Sequence, residues 1–214
     1  MNWSQIAPHG TAAWCNSWRS RYHEMPFAQH QADTDAIMLG HVTPEGHLID
    51  SRDLRRCFST INPSGRRVIE FGGWRGAMAN AALNEFPWLA GWTNYDICPS
   101  AQVDSHCTDQ RYECVVADDF LWRTPRPATG DIFASSHAIE HVTAEHLALL
   151  FAWLPDTIRW MYLCAPIPDS CTDNKWVDYG GTHILEIGWE QVLALLPDFR
   201  FVESGEQFRW IERK

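Results

Sequence analysis

Four short segments carry side chains whose types and spacing could do chemistry. They read Glu70-Phe71-Gly72-Gly73-Trp74-Arg75-Gly76, Asp96-Ile97, Asp118-Asp119 and Ser135-Ser136-His137. Each follows a short apolar run, and three of the four place a carboxylate at its end. A glycine turn bends the chain tightly and lets backbone come close to a ligand. This one is not Gly-x-Gly-x-x-Gly, because Gly72 and Gly73 adjoin and Trp74 takes the middle position. Asp96 lies 20 residues after Gly76. A carboxylate so placed can accept both hydroxyls of an adenosine ribose.

Glu70 separates the ligand classes. A pyrophosphate at a helix N-terminus is repelled by a neighbouring carboxylate, whereas an ammonium or sulfonium is attracted. Glu70, Asp96 and Asp118 together favour an adenosine ligand that is cationic and carries no phosphate. S-adenosylmethionine has that description. Each residue also has a plain alternative. Glu70 could end a strand at the surface. Asp96 could cap the next helix, since Pro99 follows. Asp118 and Asp119 could be solvated acids, whereas a binding role for Asp119 would run mostly through its backbone N–H.

The elements that must position these residues are legible from residue 66 onward. Apolar runs at 68–71, 92–97, 114–117, 131–134 and 158–164 predict strands. Residues 77–86 are Ala-rich and predict a helix that Pro87 ends. Thr143 can cap a helix reaching residue 153, and 189–196 predict another. Residues 201–203 and 208–211 are joined by a short link, as in a hairpin. Strand–helix alternation implies an α/β, Rossmann-like doubly wound sheet, mostly parallel, with a C-terminal antiparallel hairpin. In such sheets ligands sit beyond the carboxyl ends of the strands, where the four segments fall.

Residues 1–60 differ and are expected to form an N-terminal helical extension or lid, with 61–214 as the main domain. Residues 11–24 could be helical, with Trp14, Trp18 and Tyr22 on one face, either packed on the domain or closing a pocket. Residues 51–58 suggest a further short helix.

Two readings compete for the histidines. His137-Ala138-Ile139-Glu140-His141 is a literal His-x-x-Glu-His string, and a zinc hydrolase would need both imidazoles on one helix face. Here a strand precedes the string and a helix starts only after Thr143, so no metal is expected. Alternatively His137, His141 and His183 gather over a methyl donor, where an imidazole of pKa ~6.5 takes a proton from the acceptor. His141 could instead only bond loop backbone, and positioning alone can drive methyl transfer.

The region from residue 66 to 214 resembles the class I S-adenosylmethionine-dependent methyltransferases, in their small-molecule subgroup. The segment from Glu70 to Gly76 is similar to the first family motif, acid-x-Gly-x-Gly-x-Gly, with Trp74 at the middle glycine. The resemblance implies that Glu70 faces the methionine amino group and that Gly72, Gly73, Trp74 and Gly76 line the cofactor. It implies further that Asp96 and Ile97 hold the ribose side and that Asp118 and Asp119 lie near adenine. The stretch from Ser135 through Ser136 to Val142 resembles the segment passing under the transferable methyl, and Thr182-His183-Ile184 resembles a pair before the last helix. The implied activity is methyl transfer to an oxygen or nitrogen of a small-molecule acceptor, such as a sugar or natural product. A methyltransferase fold that binds without turnover is the non-enzyme alternative.

Composition narrows the partners. The chain has 214 residues, 17 basic against 27 acidic, and a net charge of −10. That disfavours nucleic acid and anionic membranes as partners. No apolar run nears the ~20 residues of a membrane span. Seven cysteines without a Cys-x-x-Cys pair fit a reduced, cytoplasmic protein better than a disulfide framework. A homodimer is compatible with all of this.

Overall fold

The computed structural model describes residues 25–41, 51–61, 65–167, 185, 187–205 and 207–214. The expected helix at 11–24 and His183 lie outside them.

Seven strands form one sheet: β1 (Arg67–Phe71), β2 (Gly91–Asp96), β3 (Tyr112–Val116), β4 (Ile132–Ser136), β5 (Trp160–Cys164), β6 (Phe199–Ser204) and β7 (Phe208–Arg213). Their order is β3-β2-β1-β4-β5-β7-β6. The first five run parallel; β7 is antiparallel to both β5 and β6. This is the doubly wound sheet with a terminal hairpin that the strand–helix alternation implies. The chain steps outward from β1 to β3 and returns to β4, so strand order reverses between β1 and β4. The register pairs Phe71 with Tyr95 on one side and with Ser135 on the other. Parallel pairing therefore brings the ends of β1, β2, β3 and β4 to one edge.

Six α-helices and two 3-10 turns accompany the sheet in the described residues: α1 (Phe27–His41), α2 (Ser51–Ser59), α3 (Ala77–Glu85), α4 (Pro99–Val103), α5 (Ala144–Trp153) and α6 (Trp189–Ala194) are α-helical, and Leu121–Arg123 is a 3-10 turn, as is Ile139–His141. Central parallel strands are covered on both faces, so they read as apolar runs rather than alternations. Neighbouring strand residues still part to opposite faces. Ile69, Phe133, Met161 and Leu163 join Leu147, Leu150 and Trp189 in one layer. Val68, Trp92, Ile132 and Tyr162 join Met78, Leu83 and Trp210 in the other. Leu54, Cys57 and Phe58 of α2 belong to this second layer, which packs that helix with the sheet rather than apart from it. Thr143 caps α5 by accepting the His146 amide (3.3 Å).

Helix α1 falls within the helical extension expected over residues 1–60, but the sequence places no individual helix at 27–41. Its residues, Phe-Ala-Gln-His-Gln-Ala-Asp, lack an apolar stripe, so periodicity does not reveal it. It is held by polar and ring contacts to the strand ends instead.

Candidate functional site

At the end of β1 the chain turns through Gly72 (φ 70°), Trp74 (φ 42°) and Gly76 (φ 76°), three residues in the left-handed region. A Cβ on Gly72 would collide with Cβ of Ala138, so only glycine lets the β1 and β4 ends touch. A Cβ on Gly73 would strike the carboxyl of Glu70, which lies directly beneath the turn. Gly76 is the N-cap of α3.

Glu70 is 0% exposed. Trp92 Nε1 donates to its Oε2 (2.7 Å), and Oε1 has no hydrogen-bond partner among the described residues. Burial is the main reason its pKa is pushed up to about 8, with the nearby Asp96 adding to the rise. Asp96, the last residue of β2, is also buried. Its Oδ2 accepts the Trp74 amide (2.7 Å) and its Oδ1 the Cys98 amide (2.8 Å). Burial raises its pKa, against the lowering effect of those amides. Asp118 is exposed beyond β3, while Asp119 accepts the Phe120 amide (2.8 Å). Ile97 is half-buried beside Asp96.

Trp74 fits in the turn because its indole finds partners to the side. Its Nε1 donates to Ser100 Oγ (3.3 Å), and the Arg75 guanidinium covers the ring at 4.3 Å. Asn94 then grips the turn from below. Its Oδ1 accepts the Gly73 amide (2.9 Å) and its Nδ2 donates to the Trp74 carbonyl (2.9 Å). Sequence reasoning missed Asn94; the signal was a polar amide inside an otherwise apolar strand.

At the end of β4, Ser136 is buried and its Oγ has no partner among the described residues. His137 follows in the left-handed region (φ 54°), its amide donating to the Cys164 carbonyl (2.7 Å). Glu140, fully buried, receives His137 Nδ1 at 3.5 Å and His141 Nε2 at 4.0 Å on the same oxygen. Burial alone would raise Glu140, but hydrogen bonding from His137 and the charges of His141 and His137 outweigh it and hold the acid below its ordinary value. Contacts to the Cys164 side chain and to Glu140 push the His137 imidazole up to about 10. The His-x-x-Glu-His string therefore bends through a loop and a 3-10 turn, and its two imidazoles converge on the carboxylate rather than sharing an α-helix face. Among the described residues, no three His, Cys, Asp or Glu are grouped to hold a metal ion.

No protein-family model matches the chain, and no curated protein matches it in sequence. Solved structures do match in three dimensions. A SAM-dependent methyltransferase from Anabaena variabilis ATCC 29413 aligns with TM-score 0.59 and 18% identity over 78% of this chain and 84% of its own. Human N-acetylserotonin methyltransferase, solved in complex with SAM, aligns with TM-score 0.57 and 13% identity over 99% of this chain. The pyocyanin biosynthetic protein PhzM aligns with TM-score 0.54 and 19% identity over 73% of this chain. The chain has the class I methyltransferase fold. It spans 65% of the human protein and 52% of PhzM.

Within the methyltransferase fold, α1 lies across the ends of β2 and β3. Gln31 Nε2 donates to the Ala117 carbonyl (3.0 Å), and Asp35 Oδ1 accepts from both Ser100 N (3.2 Å) and Ser100 Oγ (2.6 Å). Phe27 meets Phe120 edge-on at 5.1 Å, and His30 packs on the same ring at 5.9 Å. Burial, with His146 and His141 adding smaller effects, lowers His30 to about 4, so the imidazole is neutral where it is docked.

Proposed function

We propose that the chain is an S-adenosylmethionine-dependent methyltransferase that moves a methyl group to an oxygen or nitrogen of a small-molecule acceptor. The observation that carries this reading is the pair of buried polar atoms without partners among the described residues, Glu70 Oε1 and Ser136 Oγ, flanking the point where strand order reverses. An unsatisfied buried oxygen costs roughly 1–3 kcal/mol, which a ligand donor can recover. An ammonium suits Glu70, because it supplies both a hydrogen bond and the charge that favours the ionised carboxyl.

The residues fit the cofactor. Glu70 and the turn from Gly72 to Gly76 would hold its amino-acid end. Asp96 and Ile97 would hold the ribose, and Asp118, Asp119 and Phe120 the adenine side. The cofactor supplies a methyl group on a sulfonium, already a good leaving group. The chain's own contribution is to orient the acceptor and exclude water, and α1 serves as the lid over the adenosine side. The acidic balance of −10 supports a small acceptor over a polyanion.

The test is binding of S-adenosylhomocysteine by calorimetry, followed by transfer of a labelled methyl group to small acceptors. Saturating ligand at 100 times its Kd raises stability by about 2.7 kcal/mol. No binding at millimolar concentration would refute the reading.

A further inference from the structure

We propose that His137 is a cationic anchor that selects an anionic acceptor, a carboxylate or an acidic phenolate, rather than a base that deprotonates a neutral one. The inference rests on the methyl-transfer reading above and names the acceptor class for that site.

The geometry carries it. His137 directly follows β4, and its neighbour Ala138 abuts Gly72, so the imidazole stands within one residue of the glycine turn. Its side chain is 52% exposed, whereas Glu140 beneath it is closed to solvent. A carboxylate in low dielectric holds a nearby imidazole in its charged form. His141, on the same Glu140 oxygen, and Cys164, on β5, are the other titratable groups around His137 among the described residues. His30 of α1 lies near His141. The left-handed backbone at His137 is costly for a residue with a Cβ, and it persists because the Cys164 carbonyl and Glu140 hold the residue on both sides.

A charged imidazole has no lone pair to accept a proton, but it donates strong hydrogen bonds to oxyanions. An acceptor that arrives as an oxyanion needs no base. Its oxygen lone pair forms the new O–CH3 bond as the CH3–S bond breaks, that pair stays on sulfur, and no proton moves. The product is a neutral ester or ether, which His137 holds less tightly than the anion. His137 thus binds the ground state at least as well as the transition state, so its loss acts on KM more than on kcat.

The test uses the full chain with S-adenosylhomocysteine present and histidines labelled for NMR. Benzoate and its neutral counterpart benzamide are the probes. The expected result is that the His137 ring stays protonated through pH 8 and that millimolar benzoate, not benzamide, shifts its signal. His137→Asn, which tolerates the left-handed backbone, abolishes the preference. Glu140→Gln moves the His137 titration down toward ~6.5. A His137 titration already near ~6.5 in the parent chain overturns the proposal. So does benzoate binding no better than benzamide, absence of binding by both included. Benzoate preference without S-adenosylhomocysteine binding would sink the methyl-transfer reading and leave the anion site standing; the converse result would do the reverse.

Discussion

The indole of Trp92 donates to Glu70 at 2.7 Å, and the two buried side chains together underlie the glycine turn. Trp92 gives Glu70 one donor where the carboxylate can accept several. The acid is therefore held, but incompletely satisfied, and its ionisation becomes a reporter of what binds above it.

The pKa of about 8 makes that reporter readable. Between the ordinary carboxyl value of ~4.3 and about 8 the folded chain keeps a proton that the unfolded chain has released, so this group's effect is to lower stability as pH rises through that window. A cationic ligand prefers the ionised acid and displaces the proton. S-adenosylhomocysteine affinity is expected to tighten from pH 6 to 8, with proton release seen by calorimetry in buffers of different ionisation enthalpy. Glu70→Gln is expected to flatten both trends; an unchanged pH slope would dismiss the role.

His30 acts in the opposite direction. Its folded pKa of about 4 lies below the unfolded value, so between ~6.5 and about 4 the unfolded chain binds the extra proton. The stabilisation is present above ~6.5 and lost as pH falls, on the order of 3 kcal/mol in full. We expect α1 to become protease-sensitive near pH 4.5 while remaining protected at pH 7. His30→Gln should remove that contrast, and equal cleavage rates of the parent chain at both pH values would contradict it.

Gly72→Ala is expected to destabilise the chain by about 2–4 kcal/mol, combining a left-handed backbone with the clash against Ala138. Ala138→Gly opens the space, so the double variant should recover about 1 kcal/mol or more relative to additivity. Denaturant unfolding of the four chains completes the cycle, and strict additivity would show that the β1 and β4 ends do not press on each other there.

Asp96→Ala should lower Tm, because the carboxylate accepts the Trp74 and Cys98 amides, and should also weaken S-adenosylhomocysteine binding if Asp96 holds the ribose as proposed. Two lost amide bonds cost about 1–3 kcal/mol each when the donors stay buried. A Tm identical to the parent's would mean that the turn is held without Asp96.

The alternation of strands and helices, the parallel sheet and the identity of the strand-end acids were legible in the sequence because they depend on local apolar runs, turn residues and short-range spacing. The segments at 68–71 and 92–97 predicted β1 and β2 to within a residue at each end. β3 begins at Tyr112, two residues before its predicted start, because the half-buried Tyr112 and exposed Glu113 of a strand at the sheet's edge blur the apolar pattern. Helix α1 was illegible for a related reason. Its stabilising partners, Ala117, Ser100 and Phe120, lie 65–93 residues away in the chain, and no local period encodes them.

By itself, then, the order of residues determined which acids stand at the sheet edge, since parallel pairing carries every strand end there regardless of detail. Only the folded chain decided what those acids touch. Burial under the turn, with Trp92 the one donor among the described residues, raised Glu70; Asp96 was committed to two amides; and His137, an expected proton acceptor, was set beside Cys164 and the buried Glu140 carboxylate. These outcomes depend on distances of a few ångströms between residues far apart in sequence, and on a local dielectric that exists only once the core has closed.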